Sequence, residues 1–244
     1  MKIQIRNNDI YVFHFLYRFR VATAETIAVV LNQSIRSTQR RLQQLHKSGH
    51  LQRARTGIGQ PYIYTVTTKS ILDYVDKITY KYQIAKLSYA HELLVSQVAS
   101  YILRDNDDVD LFDIETDRTQ YIKIKRERLK KDQKPQEMKK FIISDIFIEK
   151  YSCAIEVELS SKPRKTIENK LIYMSRFCKN QIWIMPNGFK TLKKTCEDFE
   201  KAIDDRGLKY MENDDMIIVK ESERVPKSNW KLVFNSYNMK DRLF

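Results

Sequence analysis

Three carboxylates in the middle of the chain carry its most reactive-looking pattern: Asp145, then Glu156 and Glu158 with Val157 between them. Asp145 sits in the apolar run 141–148 and the glutamates in the run 153–159, with Glu149-Lys150-Tyr151-Ser152 as a turn between. Side chains alternate along a strand, so a hairpin can bring Asp145 and the inward residues of the second strand to one face. Clustered carboxylates offer the oxygen ligands that Mg²⁺ or Mn²⁺ prefers, and such an ion activates water for phosphodiester cleavage. On that chemistry Asp145 and Glu156 are the metal ligands, and Glu158, Lys162 and Glu92 (beside His91 on an upstream helix) complete the catalytic candidates. Lys170 is a second possible source of positive charge. The opposing reading makes the three acids ion-pair partners of Lys162, Arg164 and Lys165. No cofactor is expected unless the carboxylate site is active and takes Mg²⁺ or Mn²⁺.

A second pattern suits a polyanion. Residues 34–47 place Ser34, Arg36, Ser37, Gln39, Arg40, Gln43, Gln44 and Lys47 at non-core positions of one helix, with Thr38, Leu42 and Leu45 inward. A major groove admits one helix, and its base edges present acceptors to Arg and donor–acceptor pairs to Gln. Hydroxyls at the helix start can donate to phosphates near the positive end of the helix dipole. Arg53 and Arg55, followed by Gly57 and Gly59, suit a minor-groove or backbone contact.

The elements that must position these side chains follow from periodicity. Ile10, Val12, Phe13, Phe15, Leu16 and Phe19 recur at helical spacing behind Asn7 or Asn8 as cap. Thr23 caps a second helix over 24–31, Ser34 or Ser37 caps the third, and Gly49 ends it. Residues 51–55 and 62–66 then read as a hairpin. Three helices and a hairpin make a winged helix-turn-helix that binds double-stranded DNA. A helical connector over 70–83 leads to a strong helix over 85–103, with Leu87, Ala90, His91, Leu94, Val98 and Ile102 on one face. Strands are expected at 109–114, 121–124, 141–148, 153–159, 181–185 and 216–220, with helices at 165–178 and 190–206. That alternation is an α/β layout. The whole reads as an α+β/α/β chain with two domains, residues 1–78 and 79–244.

Charge agrees with the second pattern. The chain carries +13, and residues 1–80 hold twelve Lys and Arg against four Asp and Glu, a net of +8. Residues 118–140 hold ten against three; this stretch is either a loop that tracks phosphates or a solvated insertion. Three widely spaced cysteines without a Cys-x-x-Cys pair argue against a zinc site or a disulfide framework and for a reducing cytoplasm. No membrane span is expected. The tail, 225–244, disperses Trp230, Val233, Phe234, Tyr237 and Leu243 among basic residues, as either core packing or a partner-binding segment.

The order helix-Glu, Asp145, Glu156-x-Glu158 resembles the PD-(D/E)xK nuclease core over about residues 85–185. It departs from that core where Glu158 stands in place of the lysine, which implies a degenerate site used as scaffold or clamp; Lys162 or Lys170 would be the relocated charge. Both halves together resemble the replication-relaxation family. The matching residues are Pro61-Tyr62-Ile63-Tyr64-Thr65-Val66-Thr67, His91-Glu92-Leu93, Asp145 with Ile155-Glu156-Val157-Glu158-Leu159-Ser160-Ser161-Lys162, Tyr173, and Gln181-Ile182-Trp183-Ile184. That resemblance implies a DNA-binding accessory protein acting at a plasmid transfer or replication origin, with a relaxase or other mobilisation protein as partner; a second copy of the chain is another expected partner. A metal-dependent DNA endonuclease and a winged-helix transcriptional repressor are the alternatives.

Overall fold

The computed structural model describes residues 3–55, 60–75, 89–129, 143–175, 178, 180–185, 190–191 and 194–198, with backbone alone for 124–129, 175, 209–212 and 215–218. By its contacts the chain divides into a unit ending at Phe112 and a unit beginning at Asp113.

The first unit opens with α1, Asn7–Phe19, which buries Val12, Phe13, Phe15, Leu16 and Phe19. Its N-cap is Arg6, one residue earlier than the asparagines suggest. Asp9 explains the shift: its carboxylate accepts the Arg6 backbone N–H at 2.7 Å, satisfying a donor the helix end would leave orphaned. α2, Ala24–Val30, and α3, Ile35–Lys47, follow. Thr23 and Ser34 cap them as expected, accepting the N–H groups of Thr26 and Ser37. Gly49 takes φ 82° past the end of α3, the left-handed conformation a glycine reaches without a Cβ clash.

β2, Leu51–Arg55, and β3, Tyr62–Val66, pair antiparallel from Leu51 opposite Val66 to Arg55 opposite Tyr62. A two-residue strand that periodicity does not reveal, β1 (Ala22–Thr23), joins the other edge of β3. Gly57 and Gly59 lie outside the described residues, as do 76–88 of the connector. What is described of the connector is α4, Thr68–Tyr74, capped by Thr67.

His50, between α3 and β2, is buried against Phe13 and Tyr74. Its Nδ1 lies 2.9 Å from the Ser70 hydroxyl, which itself donates to the His50 carbonyl. Burial first, then the nearby Lys69 charge, pushes the His50 pKa below its usual 6.5. The unfolded chain therefore binds the proton first, so this unit loses stability as pH falls from about 6.5 through the folded value. His50→Gln should flatten that acid limb in urea unfolding followed by circular dichroism; an unchanged limb would assign it to other groups.

α5, Tyr89–Asp105, belongs to the first unit, because it packs along α2 and also meets β1 and α1. The compact unit defined by contacts thus runs past residue 78 and takes in α5. The apolar face expected from Ala90, His91 and Ile102 is only part-buried; the buried residues run from Glu92 through Ser100 and include Ser96 and Ser100. Those serines return their hydroxyls to the carbonyls of Leu93 and Gln97, so they bury without an orphaned donor.

The second unit is a four-stranded mixed sheet in the order β4-β5-β6-β7, made of Ile114–Thr116, Ile146–Ile148, Cys153–Val157 and Asn180–Ile184. β4, β5 and β6 pair antiparallel, and β6 pairs parallel with β7 through the crossover helix α7, Arg164–Ser175. Ala154, Leu171, Met174, Cys178 and Trp183 form the core beneath that helix. The cysteines are buried, and burial pushes the Cys153 thiol up to about 11 and that of Cys178 to about 12. Two expectations fail here. Residues 121–124 are not a strand but lie in α6, Asp117–Leu129, and only Ile114 of the strand expected over 109–114 is extended. The alternation Tyr121-Ile122-Lys123-Ile124 mimics a strand, but Thr119 turns the chain at once by accepting the Thr116 N–H, and Asp117 favours a helix start. Residues 130–142 lie outside the described ones, so the basic stretch 118–140 is seen only in its helical first half. A further hairpin, β8 (Lys209–Glu212) and β9 (Asp215–Ile218), stands where a single strand at 216–220 is expected. Residues 225–244 are outside the described set. Among the described residues no helix is long and apolar enough to cross a membrane.

Candidate nucleic-acid interface and carboxylate pair

The phase of α3 is set by Thr38, Leu42 and Leu45, each 1% exposed or less. At about 100° per residue, Arg36, Arg40, Gln43 and Lys47 fall within about 60° of one another on the opposite side. Gln39 flanks that stripe on one side, and Ser37 and Gln44 on the other; all seven side chains, and Ser34 at the cap, are exposed. Ile35–Lys47 contains no carboxylate. The one arginine of the helix withheld from solvent is Arg41. Its Nε and Nη2 donate to Asp9 at 2.9 and 2.5 Å, Nη2 also reaches the Gln4 carbonyl at 2.7 Å, and Nη1 holds Gln44 at 3.1 Å. Its hydrogen bonds to Asp9 push the guanidinium pKa further up. This fork orients α3 on α1, and it makes Arg41 a structural cation beside the outward Arg40.

On the hairpin, Arg53 and Arg55 share one face of β2 with Tyr62 of β3. Their guanidinium carbons stand 4.4 and 4.2 Å from the Tyr62 ring centroid. The stripe on α3 and this arginine pair belong to the same compact unit.

In the second unit, Glu156 lies two residues past Ala154 on β6, on the face covered by α7, and is 2% exposed. Lys170 of α7 donates to Glu156 Oε2 at 2.5 Å. Asp145 accepts the Val157 N–H at 2.8 Å. Burial, then the neighbouring Asp145 charge, raises the Glu156 pKa to about 8 despite Lys170. At neutral pH Glu156 therefore tends to hold its proton.

Residues 13–192, well over half of the chain, match the replication-relaxation family. The chain belongs to that family. No curated protein and no solved structure matches it.

In this replication-relaxation protein the acids that the sequence groups together have different partners. Glu92 belongs to the first unit, where Arg20, the residue that follows α1, binds its carboxylate. Glu158 is held by the Ser160 N–H at 3.3 Å, the Ser160 hydroxyl at 3.1 Å and the Lys162 ammonium. Lys162 is thus occupied by Glu158, and Lys170 is the lysine that reaches Glu156. For Mg²⁺ or Mn²⁺, Asp145 and Glu156 remain as donors. Among the described residues no three carboxylates, histidines or cysteines gather as a metal cluster does. One donor is deeply buried and inclined to hold a proton, with an ammonium already where a cation would neutralise it. The donor set does not fit a divalent ion, so no metal-dependent step is derived from it. Tyr62, Arg41 and Arg20 were not assigned their present roles by sequence patterns, because each acts through a partner on another element, whereas Lys170 was one of two lysines named as a source of positive charge.

Proposed function

We propose that the chain binds double-stranded DNA through a winged helix-turn-helix formed by residues 1–78. It acts as an accessory protein of a mobile element at a plasmid transfer or replication origin, beside a relaxase. The observation that carries this reading is the stripe Arg36, Arg40, Gln43 and Lys47, exposed on the side of α3 opposite its buried residues and on a helix without a carboxylate. The helix–helix–helix–hairpin order supports it, as does membership of the replication-relaxation family. In this reading Ser34, Ser37 and the N-terminal dipole of α3 meet phosphates, Arg36, Gln39, Arg40, Gln43 and Gln44 face base edges, and Lys47, Arg53 and Arg55 add backbone charge. The second unit is read as a PD-(D/E)xK-like fold whose Asp145, Glu156 and Lys170 form an internal ion cluster.

Anisotropy titrations with duplex DNA from the origin of the encoding element test the division of labour. Arg40→Ala should weaken binding about 5- to 150-fold, the range of one well-placed base contact. Asp145→Asn should bind within about twofold of the parent. Equal losses from both, or from neither, would overturn the assignment. Binding should also weaken steeply with salt, because phosphate contacts release counterions.

A further inference from the structure

We propose that Tyr62 is a positioning residue for DNA binding, whose ring pre-sets Arg53 and Arg55 as one rigid pair of guanidinium groups; this rests on the DNA-binding reading above. The register places Arg55 directly opposite Tyr62, and Arg53 opposite Tyr64 two residues along, so both arginines reach the same ring from one strand. Their guanidinium carbons lie at 4.2 and 4.4 Å from its centroid, inside the range where a cation is held by the negative face of an aromatic ring. Arg53 and Arg55 form no ion pair with a carboxylate among the described residues. Two like charges on adjacent same-face positions repel, and a flexible arginine loses rotamer freedom when it meets a phosphate. The ring opposes both effects before DNA arrives. It attracts each cation, and it restricts each side chain to one region above the strand. Planar guanidinium groups stack on rings while leaving edge N–H donors available, so the contact leaves Arg55, and those donors of Arg53 not given to the Tyr64 side chain, able to bind phosphate. Tyr62 itself is only part-buried and its neighbours Ile63 and Tyr64 supply the core contacts of β3, so the fold does not need its side chain for packing.

The test is a salt series of duplex-DNA anisotropy on the full chain with Tyr62→Leu, Tyr62→Phe and the double variant Arg53→Ala/Arg55→Ala, with Arg40→Ala alongside. Tyr62→Leu should bind about tenfold more weakly than the parent while keeping the parent's slope of log affinity against log salt, because both arginines still reach phosphates. The double variant should lose affinity and also about two units of that slope. Tyr62→Phe keeps the ring and should restore binding to within about twofold. Tyr62→Leu binding like the parent would overturn the proposal. So would a Tyr62→Phe that fails to rescue, since the hydroxyl would then be the contact. Should Arg40→Ala bind like the parent, the DNA-binding reading falls first; should Arg40→Ala lose affinity and Tyr62→Leu not, only the present inference does. Matched thermal unfolding of Tyr62→Leu and the parent keeps misfolding from counting as support.

Discussion

Asp9→Ala is expected to destabilise the first unit by about 3–5 kcal/mol, the cost of removing one partner from a buried ion pair, nearer the lower figure because Arg41 retains some contact with water. Asp9 is 3% exposed and carries three donors: the Arg6 N–H and two nitrogens of Arg41. Alanine would leave the start of α1 uncapped and a guanidinium facing an apolar gap. Because the same fork holds α3 against α1, DNA affinity should fall with stability in this variant. Arg40→Ala makes the contrast. Arg40 lies next to Arg41 but on the exposed stripe, so its unfolding free energy should stay within about 0.5 kcal/mol of the parent's while its DNA affinity drops. Urea unfolding followed by circular dichroism measures both; an Asp9→Ala midpoint equal to the parent's would show that the fork contributes nothing.

Adjacent arginines with opposite roles show where sequence reading stops. The spacing of Thr38, Leu42 and Leu45 fixes which side of α3 is inward, so the outward positions Arg36, Arg40, Gln43 and Lys47 were legible. That Arg41 finds Asp9, 32 residues earlier, is a tertiary fact that no local pattern carries. The caps Thr23 and Ser34 were legible because a hydroxyl satisfies its own helix within three residues. The partner of Glu92 was not legible for the same reason: Arg20 is 72 residues away, and the helix that bears Glu92 packs on α2. In the second unit the hairpin carrying Asp145 and Glu156 was legible from strand alternation. Which lysine approaches Glu156 was not, because α7 crosses over the sheet before it presents Lys170 to that face, while the nearer Lys162 is taken by Glu158.

The Glu156 cluster should make the second unit lose stability as pH rises. An ordinary glutamate gives up its proton near 4.5, whereas burial holds the proton on Glu156 up to about 8. Between those values the folded state binds more protons than the unfolded state, so unfolding becomes easier with each increment of pH, and the profile levels off above about 8. Glu156→Gln should remove this slope. A glutamine carbonyl can still accept from Lys170, and residue 156 no longer titrates. The variant should therefore be the more stable form at pH 8 and above. Lys170→Met should act the other way, because losing the ammonium drives the Glu156 pKa higher and extends the loss past pH 8. Since His50 gives the first unit an acid limb of opposite sign, the reporter must belong to the second unit. Fluorescence of the buried Trp183 in a Trp230→Phe background serves, read through urea unfolding at several pH values from 5 to 9. A parent profile that is flat over this range, or a Glu156→Gln variant that keeps the parent's slope, would show that Glu156 is ionised inside the fold. Asp145 and Glu156 would then be two charges offset only in part by Lys170, and the donor set would have to be reconsidered as one that can accept a divalent ion.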